Sequence, residues 1–557
     1  MRLLLLFTCL LLYLPVMAQD TGNAAKEEQK RLIYFADKAN TPFTTSEPLQ
    51  FLSPKAVERR KRQKISVTPR DLPVNPAYVA ALQEAGATVW YTSRWFNAAV
   101  VQCTDEQLQA LEELPFVLRT QSLNRVASPA GSLTQSTALQ SIAAASATSN
   151  FAYWPALNPA DYGPAFHQAD MLGADELHAD GYTGAGMTIA VLDAGFPGVP
   201  TIAAFAHLFE RNQLAGTFDF VRKQEDVFTA DAHGTSVLST MAAYAPGSMV
   251  GTAYGANYLL LRTEDAATEH NIEEINWLLA AEFADSAGAD IINSSLGYTL
   301  FDAPSQSYTY QDMDGNTSLI SRAADFAAAT GMLVVTSAGN EGNKSWQYVS
   351  APADADSVLA VGAVDSLGVK ASFSSFGPTA DGRTKPDVAA MGQAVYFILP
   401  NGSLARGNGT SFSGPIVAGF AATLWQANPF RTNMELIELL RQSGSNATNP
   451  DNSIGYGIPN YRRTLTASPG AATGGELYIT NPVRQEPVIL YLGQDWLQQT
   501  IEVQVLDATG KQVFRQSIML AQKEQPLKLE PQRLGNGLYL CRIRSGNKVA
   551  TLRFVKL

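Results

Sequence analysis

Five short apolar runs mark the middle of the chain. They are Met187-Thr-Ile-Ala-Val-Leu192, Tyr258-Leu-Leu-Leu-Arg262, Asp290-Ile-Ile-Asn293, Met332-Leu-Val-Val-Thr336 and Val358-Leu-Ala-Val-Gly362. Runs this short and this uniformly apolar predict strands buried on both faces. The stretches 272–283 and 319–329 between them predict helices. Strands alternating with helices imply an α/β fold with a doubly wound, mostly parallel sheet and helices on both sides. In such a sheet the site lies at the carboxyl ends of the strands.

The pattern differs on either side. Residues 31–121 mix strands (31–36, 88–92, 97–102, 116–119) with helices (53–63, 75–85, 104–113), which predicts a small α+β domain. The charges of the basic helix 53–63 read as a solvated face. Residues 122–160 are rich in Ser, Ala, Thr and Gln without an apolar period, and are expected to be an exposed linker. After the α/β domain, 161–467, a second linker is expected at 468–475. Residues 476–557 alternate as strands, with Asp507-Ala-Thr-Gly510 as a hairpin turn, and predict a small all-β sandwich.

Length agrees with several units, since 557 residues exceed one core. The first 18 residues carry one positive charge and a short apolar run ending Val16-Met-Ala18, the pattern of a secretory signal. No later run reaches the ~18 apolar residues of a membrane span, so none is expected. A net charge of −11 offers no basic stripe for nucleic acid. Of the three cysteines, Cys9 falls in the signal, and Cys103 and Cys541 fall in different domains. No disulfide framework is expected.

Candidate chemistry sits at the strand ends. Asp193 closes a strand before Ala194-Gly195. His233 opens a helix in Asp231-Ala-His-Gly-Thr235. Ser411 stands in Gly407-Asn-Gly-Thr-Ser411-Phe-Ser-Gly-Pro415, a glycine loop running into an apolar helix. It is expected just before that helix begins, with Pro415 in the first turn. Each alone has a plainer use: a turn aspartate, a structural histidine, a helix cap. Together they supply a hydroxyl nucleophile, a base to take its proton and a carboxylate to orient the base. The order Asp…His…Ser is the subtilisin order. There is no His-Glu-x-x-His zinc helix, no phosphate-binding glycine-lysine loop and no Gly-x-Ser-x-Gly elbow.

Residues 163–467 resemble the subtilisin-like serine peptidases, the subtilases. The resemblance rests on Asp193-Ala-Gly, His233-Gly-Thr, Gly409-Thr-Ser-Phe-Ser-Gly-Pro415, Ser337-Ala-Gly-Asn340-Glu-Gly and Ser294-Ser-Leu-Gly297. It implies a secreted serine endopeptidase with catalytic residues Asp193, His233, Ser411 and the oxyanion donor Asn340. Ser294, Ser295, Leu296 and Gly297 would then bind substrate as an extended strand. Departures are Ser236, Leu238-Ser239, Ser413-Gly414 and Tyr298, the last bearing on the shape of the substrate pocket. A catalytically inactive scaffold used for binding is the alternative from another class.

Residues 31–121 are similar, by position and pattern, to the inhibitory propeptides of subtilases. Residues 476–557 resemble the C-terminal sorting domain of the type IX secretion route, on Asn481-Pro-Val, Asp507-Ala-Thr-Gly-Lys511, Gly537-Leu-Tyr539 and the basic-apolar end 552–557. A binding module is the rival for that domain. Expected partners are therefore peptide or protein substrates, the chain's own propeptide and the secretion machinery. The resemblance implies that no cofactor is required. Calcium is common in the family, but no metal ligand is assigned here.

Overall fold

The structure is a computed structural model. It describes residues 28–126 and 154–464, and in the C-terminal part 477–479, 483, 488–492, 496, 500–519, 527–529, 534–546 and 548–556. The expected signal segment 1–18 and linker 468–475 lie outside the described residues, as do 127–153.

The N-terminal unit has four strands and three helices. They are β1 (Gln29–Phe35), α1 (Pro54–Arg62), α2 (Pro76–Glu84), β2 (Thr88–Ser93), β3 (Ala98–Cys103), α3 (Asp105–Glu112) and β4 (Val117–Val126). The strands form one sheet in the order β2-β3-β1-β4. The last strand runs to Val126, so the first part of the expected linker at 122–160 belongs to this sheet. Period-two alternation along β1 serves two cores. Ile33 and Phe35 pack with Leu82, Val101 and Leu111 inside the unit. Leu32 and Tyr34 face the other way and share a buried cluster with Ala323, Ala324 and Phe283 of the central domain.

The central domain holds seven parallel strands. These are β5 (Thr188–Asp193), β6 (Leu214–Asp219), β7 (Asn257–Arg262), β8 (Ile291–Ser294), β9 (Leu333–Ser337), β10 (Leu359–Val364) and β11 (Val388–Met391). Their order is β11-β10-β9-β8-β5-β7-β6. All six pairings are parallel. The chain leaves β5 toward one edge and returns to its other side at β8. This makes β5 the point where the winding reverses. Four helices matter below: α4 (His233–Ala242), α5 (Ile272–Ala287), α6 (Leu319–Ala329) and α7 (Thr410–Ala427). Helix α7 is buried nearly all round, from Phe412 to Trp425, as its unbroken apolar sequence requires. Residues ahead of 161 already pack on this domain: Trp154 lies edge-on against Tyr254 at 4.9 Å.

The C-terminal strands form two antiparallel sheets, one of three strands and one of four. Val488, Leu490, Val503, Val505, Cys541, Ile543 and Phe554 from both sheets make one apolar core, the expected sandwich. Gly510 N–H donates to Asp507 O at 2.9 Å and closes the expected hairpin turn. Cys103 and Cys541 are both buried free thiols.

One expectation is overturned at the domain contact. Helix α1 is not a solvated face. Arg59 and Arg60 are buried, at 1% and 2% exposure. Both guanidinium groups, with that of Arg94, enclose the carboxylate of Asp285 on α5. Arg60 Nη1 lies 2.8 Å and Arg94 Nη2 2.6 Å from it. Glu282, one turn earlier, accepts from Ser93 Oγ and from the N–H groups of Arg94 and Trp95. Charges this buried need such partners, and sequence alone did not offer them.

Candidate active site

Asp193 ends β5 at the winding reversal, and its side chain is fully buried. Its Oδ1 accepts the N–H of Ala194 at 2.8 Å and lies 2.8 Å from His233 Nδ1. His233 is the first residue of α4, its backbone N–H held by Asp231 Oδ1 at 2.8 Å. Gly234 allows this approach. A Cβ there would stand 2.4 Å from Gly195 O and 3.0 Å from Asp193 Cβ. Helix and strand end could not then meet so closely. The Asp193 carboxylate raises the pKa of His233 above its ordinary 6.5, more than burial lowers it.

Ser411 is the second residue of α7 and not, as expected, a residue ahead of it. The helix opens at Thr410, capped by Gly409. Pro415 therefore falls in the second turn. Its missing N–H leaves the Ser411 carbonyl without its helical donor. Ser295 Oγ takes that place, donating to Ser411 O at 3.1 Å. Thr410 O is likewise held from outside the helix, by Ser337 Oγ at 2.8 Å. These two bonds tie the first turn of α7 to the ends of β8 and β9. The Ser411 hydroxyl itself donates to Ser295 O at 3.4 Å. It makes no hydrogen bond to His233 in this structure. Catalytic contacts of this kind are often loose until substrate is bound.

Asn340 follows β9. Its Oδ1 accepts from Thr410 N at 2.9 Å and from Thr410 Oγ1 at 3.1 Å. The amide is thereby fixed by its oxygen, which leaves the NH₂ group as the free donor beside Ser411. A polar cavity of about 120 Å³ adjoins these groups. Ser295, Leu296, Gly297, Asn340, Ser350 and Ser411 are among its walls. Ser294, expected to bind substrate, does not line it. Ser294 closes β8 with its hydroxyl buried, accepting from Trp277 Nε1 at 3.0 Å. Tyr298 also stays out of the cavity. Its ring is buried and its hydroxyl donates to Glu264 Oε1 at 2.6 Å. A larger cavity of about 380 Å³, between 201–204, 245–248 and 398–404, carries no ionisable side chain and none of these groups.

One feature had no signal in the sequence. Glu264, Glu269 and Glu273 each bring a carboxylate oxygen within 4.8 Å of the others. Burial pushes Glu264 up to about 7 and Glu269 up to about 8. Like charges so close cannot all persist. Oxygen donors of this kind suit a hard cation. Yet Glu264 Oε1 already accepts from Thr263 and Tyr298 hydroxyls, which hold it without one. No metal ligand is assigned among the described residues.

A carboxylate-oriented histidine, with a serine on a helix N-terminus and an amide on the wall of one polar cavity, is the set of groups found in serine hydrolases of the α/β class. The comparisons with known proteins agree. Residues 184–457 match the model of the subtilase family. Subtilisin DY of Bacillus licheniformis is 32% identical over 289 residues, 52% of this chain and 93% of that protein. Subtilisin E of Bacillus subtilis is 33% identical over 288 residues, 51% of this chain and 66% of that one. Subtilisin Savinase of Lederbergia lenta is 30% identical, covering 52% and 93%. The chain belongs to the subtilase family and is a secreted serine endopeptidase. Residues 30–138 match a peptidase S8 propeptide domain of Bacteroidota. Residues 481–557 match a secretion-system C-terminal sorting domain, the address of type IX secretion to the cell surface or beyond. Among the described residues no helix is long and apolar enough to cross a membrane.

Proposed function

We propose that Ser411 is the nucleophile, His233 the general base and acid, Asp193 its orienting carboxylate and Asn340 the oxyanion donor. The observation that carries this reading is the 2.8 Å bond from His233 Nδ1 to Asp193 Oδ1. That bond fixes Nδ1 as the protonated nitrogen and leaves Nε2 to accept a proton. Ser411 Oγ attacks the peptide carbonyl carbon while Nε2 takes the hydroxyl proton. The carbonyl oxygen becomes an oxyanion. Asn340 Nδ2 and the Ser411 backbone N–H stabilise it, and both are fixed before reaction. Collapse breaks the C–N bond, and the imidazolium protonates the departing amine. Water, deprotonated by His233, then hydrolyses the Ser411 ester by the same route. The exposed backbone at Leu296–Gly297 pairs with the substrate main chain, with Ser295 supporting it from beneath.

The unit ending at Val126 acts as the intramolecular inhibitor, joined through the 127–153 stretch to a peptidase domain of about 154–464. The sandwich beyond residue 476 engages the secretion machinery. The reaction needs no cofactor, and calcium remains without an assigned site. A fluorophosphonate probe tests the central assignment. The purified enzyme should label stoichiometrically, and peptide mapping should place the adduct on Ser411. An adduct elsewhere, or none on an enzyme that cleaves peptides, refutes it.

A further inference from the structure

Tyr298 and Glu264 meet in a buried contact that the mechanism does not use. They are 1% and 7% exposed. The Tyr298 hydroxyl donates to Glu264 Oε1 at 2.6 Å, and the Thr263 hydroxyl donates to the same oxygen at 2.7 Å. The two partners belong to different walls of the site. Tyr298 directly follows Leu296–Gly297, the exposed backbone that receives the substrate main chain. Glu264 stands just beyond β7, on the side of the orienting carboxylate. Thr263 N–H donates to Asp193 O at 3.0 Å, and Arg262 Nε–H is shared between Ala194 O at 3.1 Å and Glu264 O at 3.0 Å. The Glu264 backbone is thus fixed to the end of β5 that carries Asp193. The 295–298 segment is held at both ends. At one, Ser295 Oγ donates to Ser411 O at 3.1 Å. At the other, the Tyr298 backbone exchanges two hydrogen bonds with Ala351, at 2.8 and 3.2 Å, but only its ring reaches the Asp193 side. Tyr298 departs from the family pattern, and this tie departs with it.

We propose that Glu264 is a positioning residue: through the Tyr298 hydroxyl it holds the 296–298 segment in the placement that accepts a substrate main chain. This rests on the assignment of Ser411 as nucleophile and of Leu296–Gly297 as the pairing backbone. A segment freed of the tie spends part of its time in placements that cannot pair, and apparent affinity falls with the fraction that can. A bound peptide restores the placement through its own main-chain hydrogen bonds, so the chemical step is little altered. The effect therefore belongs to KM. It depends on an acceptor and not on a charge. A carboxylate oxygen and an amide oxygen both accept from a hydroxyl, so glutamine can serve where an apolar side chain cannot. Burial sharpens the loss, because a buried polar group stripped of its partner is unfavourable.

The test is steady-state kinetics of the mature enzyme on a tetrapeptide p-nitroanilide, with a small fluorophosphonate as second probe. Tyr298→Phe removes one oxygen and keeps the ring. It should raise KM by about tenfold and leave kcat within about threefold of wild type. Glu264→Leu should do the same, and adding it to Tyr298→Phe should change little more, because both remove one bond. Glu264→Gln should bring KM back to within about threefold of wild type. The fluorophosphonate has no main chain to pair, so it should label Ser411 in each variant at the wild-type rate. Each variant is checked for a wild-type circular dichroism spectrum. Should Glu264→Leu fail to fold, Tyr298→Phe and Glu264→Gln decide the matter alone. Unchanged KM in Tyr298→Phe, a loss confined to kcat, or a Glu264→Gln enzyme as impaired as Tyr298→Phe would overturn the positioning role and leave the peptidase reading standing. A wild type that neither labels nor cleaves would sink both.

Discussion

Thr410 holds Asn340 by the oxygen end of its amide. The Thr410 N–H and Oγ1 both reach Asn340 Oδ1, at 2.9 and 3.1 Å. The residue before Ser411 thereby positions the amide proposed as the oxyanion donor. Thr410 and Ser411 share the first turn of α7, so a shift of that turn moves Ser411 and the residue that holds Asn340 together. Such a donor acts where charge develops, and its effect belongs to the transition state.

Asn340→Leu should accordingly lower kcat by about 10²–10³ with little change in KM, a size borrowed from subtilisin itself, where this donor type was measured. Steady-state kinetics on a peptide anilide decide it. A change confined to KM would place Asn340 in ground-state binding instead.

The Asp193–His233 pair predicts a pH profile. The base works as neutral imidazole, so kcat/KM should rise with pH through the His233 pKa. Asp193 holds that pKa above 6.5 by favouring the charged ring. Asp193→Asn removes this charge. The acid limb should then move to lower pH, and kcat at neutral pH should fall by about 10⁴, the size found for the same Asp-to-Asn change in a chymotrypsin-type triad. An acid limb that stays in place would mean that another group titrates.

At the domain contact, Asp285 is the residue to change. Burial alone would raise its pKa, but Arg60, Arg59 and Arg94 outweigh burial and hold it well below 3.8. Asp285→Ala leaves three cations facing each other in a buried place. Removing one partner of a buried pair costs about 3–5 kcal/mol, so inhibition by the 28–126 segment added in trans should weaken by roughly 10²–10⁴. The sign for pH follows from a depressed carboxylate. Its contribution is full above the ordinary carboxylate range and is lost only as pH falls through the lowered value. Inhibition by the wild-type segment should therefore persist at about pH 5. Release there, or unchanged inhibition of the Asp285→Ala enzyme, would contradict this contact.

Removal of residues 476–557 should leave peptidase activity intact when the protein is made in another host, because every group of the candidate site lies at or before Ser411. In its own cell the truncated enzyme should accumulate in the periplasm. Secretion as usual would favour a binding role for the sandwich.

Much of this was legible in the chain. Five of the seven parallel strands announce themselves as apolar runs, because strands buried on both faces need no polar positions. Strand β6 does not: it is an edge strand, partly exposed, with Gly216 in its middle. Strand β11 is a four-residue piece of small apolar residues, too short to carry a period. Asp193, His233, Ser411 and Asn340 were found through local glycine-rich turns and their resemblance to a known family. What escaped depends on distant partners. Arg59 and Arg60 look like surface charges until Asp285, more than 220 residues on, is placed beside them. Ser294 stands in a substrate-strand motif, yet Trp277 draws its hydroxyl inward. Glu264 belongs to no motif, and only the fold sets it beside Tyr298.

The most direct test is Ser411→Ala in the mature enzyme, with folding verified by circular dichroism and turnover followed on a peptide anilide. The nucleophile assignment predicts a wild-type spectrum with kcat reduced by about 10⁶, as for the serine of subtilisin, the residue leaving only the catalysis of the oxyanion hole and binding. Wild-type turnover in that variant would contradict it.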